Sequence, residues 1–150
     1  MIRALLVGTI LLSVGIFVLF GISYAISDKE AYELQERCGK RAADYFKGYV
    51  SGIENTEDVK FRTIYTNHYN RKLNKCFILF TTFGSPMSKE DIQKLGISID
   101  KILWDINENK RYGNFFKFHN IPEPMMCEVS DKSCHSEFEW DALAKPYMEE

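Results

Sequence analysis

Histidine has the most versatile chemistry in this 150-residue chain, because its side chain titrates near neutral pH and can act as base, acid or metal ligand. His68 precedes Tyr69 and Asn70 in a stretch rich in turn residues, whereas His119 precedes a bend with two prolines. A small hydrolase could use either histidine, with Tyr69 and Asn70 completing a polar cluster around His68. No motif joins the histidines, however, and turns select Asn for its backbone conformation. The sequence therefore leans against an enzyme and assigns no catalytic residue.

Three carboxylates offer a second candidate for acid–base chemistry. Asp100 and Asp105 lie along one strand-like stretch, and Glu108 follows in the polar segment after it. Charged side chains at a sheet edge also prevent sheets from pairing with one another, so we interpret the three as a solvated hairpin edge. The nucleophile motif G-x-S-x-G and the phosphate-binding pattern G-x-G-x-x-G do not occur in the sequence.

The four cysteines, Cys38, Cys76, Cys127 and Cys134, are typical of cross-links. All of them follow an apolar N-terminal segment, and an even number of cysteines in a small exported body indicates disulfide bonds. Four cysteines allow three connectivities. The short separation of Cys127 and Cys134 favours a bond that closes a local loop, which leaves Cys38 to pair with Cys76.

Zinc is the alternative for the two C-terminal cysteines, because His135 and His119 could complete a set of four ligands. The spacing between the cysteines is wider than structural zinc sites use. Export also favours oxidised cysteines over metal-bound thiolates. We therefore predict no metal ion and no cofactor.

The N-terminal segment, 1–27, indicates where the protein resides. No charged residue occurs over Ala4–Ser27, and about 20 apolar residues suffice for a helix to cross a bilayer. The segment predicts a single-pass membrane anchor or, alternatively, a signal peptide cleaved near Ala25, which would leave a secreted or periplasmic protein. Arg3 precedes the segment and mixed charges follow it, so the positive-inside rule places the rest of the chain outside the cytoplasm.

Composition indicates that the remainder, 28–150, is one exported globular domain. The chain is 45% apolar and 27% charged, which excludes a disordered or fibrous protein. Nineteen basic and 21 acidic residues give a net charge of −2, so the charge balance predicts no nucleic-acid partner. The predicted partners are the membrane, through the N-terminal helix, and a protein or small ligand outside the cytoplasm.

Hydrophobic periodicity divides the exported domain into helices and strands. The predicted helices cover 28–49, 89–95 and a C-terminal stretch that Ser136 caps and Pro146 bends or ends. The predicted strands cover 61–70, 75–83, 98–106 and 112–119. This order predicts an α+β fold, in which an antiparallel sheet of about four strands, built from two hairpins, carries the N-terminal and C-terminal helices on one face.

Aromatic residues are more numerous than the core of one small sheet requires. The surplus is typical of antiparallel strands that have a core and a solvent-facing row of aromatics. Alternatively, it indicates a binding surface, because tyrosine and tryptophan concentrate at interfaces. Trp104 therefore joins His68, Tyr69, Asn70 and His119 as a candidate binding residue.

Two short segments carry a resemblance to known proteins. The first is N-H-Y-N-R-K-L-N-K-C-F at 67–77, and the second begins C-H-S-E-F-E at 134–139. They resemble a loose group of uncharacterised small exported bacterial proteins with an H-Y-N…K-L-N-x-C-F segment and a C-terminal C-x-S…E-F helix. The resemblance implies export, a small α+β body and disulfide bonds, and it implies no activity.

The sequence predicts a cell-envelope protein whose disulfide-linked domain binds a partner or ligand without catalysing a reaction. A small envelope hydrolase that uses His68 or His119 is one alternative. A pilin-like structural subunit is another, because pilins also run from an apolar helix through an amphipathic helix into a sheet. Pilins, however, carry an acidic residue within the apolar helix, and 4–27 contains none.

Overall fold

The computed structural model of this protein describes residues 27–53 and 55–149, so the predicted membrane segment lies outside the described residues except for Ser27. The elements, in chain order, are α1 (Asp28–Ser51), β1 (Val59–Asn70), β2 (Lys75–Pro86), α2 (Lys89–Lys94), β3 (Ser98–Asp105), β4 (Lys110–Phe118), β5 (Met126–Val129), β6 (Lys132–Ser133) and α3 (Glu137–Met148). Within the part of the chain that is described, none of these helices is both long and apolar enough to span a bilayer.

One antiparallel sheet contains all six strands, in the order β1-β2-β3-β4-β5-β6. The predicted α+β class is confirmed, but the predicted number of about four strands is wrong. The two extra strands lie around the C-terminal disulfide, where Cys127 pairs with Phe115 of β4 and the backbone N–H of Cys134 donates to the Cys127 carbonyl at 2.9 Å. Strands this short are too brief to show an alternating pattern of apolar and polar residues.

The second strand also extends farther than its sequence suggests. We expected Gly84-Ser85-Pro86 to break it, yet β2 continues to Pro86, which pairs with Val59. Pro86 is the last residue of the strand, where a missing N–H removes no interior hydrogen bond. Gly84 is paired on both sides, with Phe61 of β1 and Ser98 of β3.

Helices α1 and α3 lie on opposite faces of the sheet, so the prediction that they share one face is wrong. Ile78 of β2 belongs to a core with Ala42 of α1, whereas its neighbour Phe77 belongs to a core with Trp140 of α3. Successive residues of a strand point to opposite faces. The strand is apolar on both faces because each face is covered by its own helix.

Helix α1 is capped at its start and is fixed to the sheet at two points farther along. It begins where the Ser27 hydroxyl accepts a hydrogen bond from the Glu30 backbone N–H at 3.2 Å. The predicted disulfide between Cys38 and Cys76 is present and joins the helix to β2. Near the C-terminal end of the helix, Tyr49 stacks on a phenylalanine of β2.

Helix α3 covers the second face and is held to the edge of the sheet. The Trp140 indole N–H donates to the Glu128 carbonyl of β5 at 3.0 Å, and the predicted disulfide between Cys127 and Cys134 closes the strand pair beneath it. The helix continues through Pro146 and ends at Met148. A proline in the last turn removes only one helical hydrogen bond, so it does not stop the helix earlier.

A buried ion pair joins the start of β2 to the end of β3. The Lys75 ammonium lies 2.7 Å from the Asp105 carboxylate and 2.6 Å from that of Glu108. Hydrogen bonds to Asp105 and then to Glu108 raise the pKa of Lys75 above its ordinary value. The interpretation of these carboxylates as a solvated edge is wrong for Asp105, which is fully buried.

Candidate functional site

The face of the sheet that α1 covers contains a groove beyond the end of the helix. Tyr49 stacks on Phe80, with ring centroids 4.2 Å apart, and α1 ends two residues later at Ser51. The remaining part of that face forms a depression of about 520 Å³. Its lining residues, mostly apolar, are Asp58, Val59, Phe61, Gly84, Pro86, Asp91, Leu95, Ser98, Phe116 and Phe118. We call this depression the aromatic groove.

The floor of the aromatic groove is one row of residues across four strands. Phe61 pairs with Gly84, Gly84 with Ser98, and Ser98 with Phe118. A Cβ atom at Gly84 would collide with the Ser98 hydroxyl and lie 3.1 Å from the Phe61 ring. Glycine at this position therefore lets the Phe61 side chain and the Ser98 hydroxyl come close above β2.

Aromatic rings and a short helix form the walls of the groove. Phe116 and Phe118 meet edge to face with centroids 5.1 Å apart. Helix α2 begins where the Ser88 hydroxyl accepts a hydrogen bond from the Asp91 backbone N–H at 3.0 Å, as the capping pattern predicts. This cap fixes the helix that contributes Asp91 and Leu95 to the lining.

A polar row lies directly beside the floor, between the groove and α1. Thr63 pairs with Thr82, Thr82 with Asp100, and Asp100 with Phe116. The two threonine hydroxyls are 2.9 Å apart and share a hydrogen bond. Since residues two apart on a strand share a face, the Asp100 carboxylate and the Ser98 hydroxyl are neighbours along β3.

Asp100 is a half-buried carboxylate without a hydrogen bond or ion pair to any residue that the structure describes. Burial raises its pKa above the ordinary value, and the positive charge of Arg111 opposes that effect. Burial also raises the pKa of Tyr49, and the negative charge of Asp100 raises it further. A hydrogen bond to Thr82 acts on the pKa of Tyr49 in the opposite direction.

The predicted cluster of His68, Tyr69 and Asn70 is divided by the sheet. Tyr69 lies in the core under α1 and His68 and Asn70 face the side of α3, because neighbouring residues of β1 alternate. The Tyr69 hydroxyl donates to Asn74 at 2.6 Å, and the Asn70 amide donates to the Pro146 carbonyl at 2.8 Å. Both side chains are buried, and these bonds fix the β1–β2 turn and the end of α3.

The histidines His68 and His119 lie at opposite ends of the sheet. The Nε2 atom of His68 is buried and has no hydrogen-bond partner among the described residues. His119 is exposed and follows Phe118, which stands in the same row as Phe61. Phe61 and His68 are about 23 Å apart along β1, at about 3.3 Å per residue. The structure therefore does not bring the two imidazoles together.

Trp104, the remaining candidate from the sequence, belongs to the core beneath α1. Its indole N–H donates to the side-chain oxygen of Asn109 at 3.2 Å, and the Tyr45 hydroxyl donates to the same oxygen at 3.1 Å. The two aromatic rings lie 6.4 Å apart. Trp104 thus stabilises the contact between α1 and the β3–β4 turn.

Sequence reasoning missed the aromatic groove as a site. The available signal was the pair Phe116 and Phe118, which face one side of a strand at positions two apart. Asp100 was assigned to a solvated edge, although it occupies a central strand.

Among residues 27–53 and 55–149, no group of three or more His, Cys, Asp or Glu side chains could hold a metal ion. No protein-family model, curated protein or solved structure matches this chain.

Proposed function

We propose that residues 28–150 form an extracytoplasmic binding module, held at the membrane by segment 1–27, and that the aromatic groove receives an apolar group of its ligand. The concave shape and mostly apolar lining of the groove are the main support for this proposal. Binding sites for small molecules are concave, mostly apolar and supplied with a few polar groups. The groove combines phenylalanine walls with the Ser98 hydroxyl and the neighbouring polar row.

The disulfide bonds support a location outside the cytoplasm. Cys38 is bonded to Cys76 and Cys127 is bonded to Cys134, so none of the four described cysteines is free. Disulfides persist in oxidising compartments and are rare in the reducing cytosol. Export of residues 28–150 across the membrane would supply the compartment in which both bonds form.

The position of the histidines favours binding over the alternative of a hydrolase. A catalytic histidine needs a second group that holds and orients it. Among the described residues, the side chains of His68 and His119 have no hydrogen bond or ion pair to a carboxylate. Neither side chain lines the aromatic groove.

Titration with 2-phenylethanol, a neutral aromatic probe, tests the groove. The full chain is reconstituted in lipid nanodiscs, and saturation-transfer NMR measures binding against empty nanodiscs. Phe61→Ala should weaken binding about threefold to tenfold, because one aromatic wall is lost. Phe61 is 38% exposed, so the variant should still fold.

Phe138→Ala is the matched control for this experiment. Phe138 lies on α3, on the other side of the sheet, and is 83% exposed. It should leave the affinity for 2-phenylethanol unchanged. Absence of binding to the wild-type chain, or an equal loss in both variants, would contradict the assignment of the groove.

A reporter fused after Glu150 tests the location separately. An enzyme that becomes active only in an oxidising compartment should be active in this fusion, because the positive-inside rule places the C-terminus outside the cytoplasm. Activity of a cytoplasm-specific reporter at the same position would contradict the proposed topology.

A further inference from the structure

Asp100 differs from the two buried charged residues of the sheet, Asp105 and Lys101. Asp105 is fully buried and is paired with Lys75, and Lys101 is buried and bonded to Glu137 and Asp141. Asp100 is half-buried, yet no described residue donates a hydrogen bond to it. Buried charges in folded proteins are normally paired. Its carboxylate therefore has capacity for an external donor.

The Asp100 carboxylate lies next to the aromatic groove. Asp100 pairs across strands with Phe116, which is part of the groove wall, and it is two residues from Ser98 on the same face. On the opposite side it is near Tyr49, at the end of α1. Asp100 thus lies beside the lining of the groove rather than in it, and a donor that extends from the groove would displace no described hydrogen-bond partner of the carboxylate.

The charged side chains in the lining of the groove are acidic, although Lys89 and Lys94 also belong to α2. Asp58 and Asp91 are the charged residues that line it. Helix α1 ends beside it with no basic residue in the last turn, and the C-terminus of a helix carries partial negative charge. Arg111 of β4 is the cation whose charge acts on Asp100, but it forms no ion pair with the carboxylate among the described residues. The faces of the phenylalanine rings also attract cations.

We infer that the groove selects ligands in which an aromatic or aliphatic group is joined to an amine or guanidinium, and that the Asp100 carboxylate binds this cation. The inference rests on the proposed function of the groove and specifies its ligand class. The aromatic walls hold the apolar part of the ligand, and the positive group lies toward the polar row. A neutral ligand of the same shape lacks the charge-assisted hydrogen bond, and an anion is repelled.

Three probes of similar size and different charge test the inference: phenethylamine, 2-phenylethanol and 3-phenylpropionate. Each is titrated against the full chain in nanodiscs and against empty nanodiscs at constant ionic strength. Phenethylamine should bind about tenfold or more tightly than 2-phenylethanol, as a hydrogen bond to a charged group would give. 3-Phenylpropionate should bind more weakly than the alcohol.

Asp100→Asn keeps the shape of the side chain and removes its charge. It should bring phenethylamine and 2-phenylethanol to within about threefold of each other, mainly by weakening the binding of the amine. Binding of the alcohol by the variant reports that the groove remains folded. Asp131→Asn, an exposed position in the β5–β6 turn, is the matched control and should keep the full preference for the amine.

The results distinguish a failure of the charge selectivity from a failure of the groove as a binding site. Equal binding of all three probes would overturn the charge selectivity and leave the groove as an apolar site. A preference for the amine that persists in Asp100→Asn would overturn the role of Asp100. No binding of any probe would overturn both the inference and the proposed function.

Discussion

The Lys75 ammonium lies 2.7 Å from the Asp105 carboxylate, and this contact neutralises a charge that has no access to solvent. Glu108, which is largely exposed, binds the same ammonium at 2.6 Å. The ring of Tyr112 lies 5.6 Å from the ammonium and completes its surroundings. One lysine therefore binds both carboxylates at the end of the sheet near the β1–β2 turn.

Replacing Lys75 by methionine should strongly destabilise the domain, because the Asp105 charge would remain buried without a partner. We expect a loss of about 3–5 kcal/mol in the free energy of unfolding, measured by denaturation of the full chain in nanodiscs. Adding Asp105→Asn should recover part of it. Lys47→Met, which removes an exposed pair with Asp44, is the control and should have little effect. Equal effects of Lys75→Met and Lys47→Met would contradict the buried pair.

Asp100 should make the stability of the domain depend on pH. Its pKa is raised in the folded state above the ordinary value of 3.8, so the folded protein binds a proton more readily than the unfolded chain does. Stability should therefore decrease as the pH rises from about 3.8 through the folded-state pKa. Asp100→Asn should remove this component and be more stable than the wild type at pH 7. Thermal unfolding at a series of pH values measures the difference. A less stable variant at pH 7 would contradict the desolvation of Asp100.

The two disulfides should contribute unequally to stability. The bond between Cys38 and Cys76 spans a sequence separation of 38, and that between Cys127 and Cys134 a separation of 7. On the chain-entropy model they contribute about 4 and about 2 kcal/mol. Replacing each pair by alanine and measuring unfolding tests the order. A greater loss from removal of the C-terminal pair would show that loop entropy does not govern these bonds.

Gly84 and Gly48 should respond oppositely to substitution by alanine. At Gly84 the new methyl group would collide with Ser98 and crowd Phe61, so we expect a loss of about 1–3 kcal/mol and weaker probe binding. Gly48 lies within α1, and no atom of the described residues is within 4 Å of the place that a methyl group would occupy, so alanine should add about 0.5–1 kcal/mol. Unfolding measurements on both variants provide the comparison. Tolerance of alanine at Gly84 would contradict the close approach that shapes the floor.

Local sequence patterns predicted the features that depend only on residues close together in the chain. Ser88 and Ser136 each cap a helix through the backbone N–H three residues later, as their spacing indicated. These features are readable because the interacting groups lie within a few residues of one another. Alternation along β1, by contrast, places His68 and Tyr69 on opposite faces of the sheet and divides the predicted polar cluster.

The aromatic groove could not be predicted in this way, because it depends on register between distant strands. Phe61, Ser98 and Phe118 form one row only when three strand pairings are each correct. A shift of one residue in any pairing would turn a wall residue to the opposite face. The distinction between Asp105, which is paired, and Asp100, which is not, depends on the same register.

The disulfide between Cys38 and Cys76 also has a mechanical consequence for the proposed anchored protein. A ligand that pulls on the groove would stretch the chain between the membrane and β2. The shortest covalent path runs along α1 from 28 to 38, through the disulfide, and along β2 from 76 to 84. Residues 39–75 form a closed loop outside that path. Tension would therefore reach the β2 residues of the groove without passing through the backbone of 39–75, the segment that contributes Phe61 to the groove.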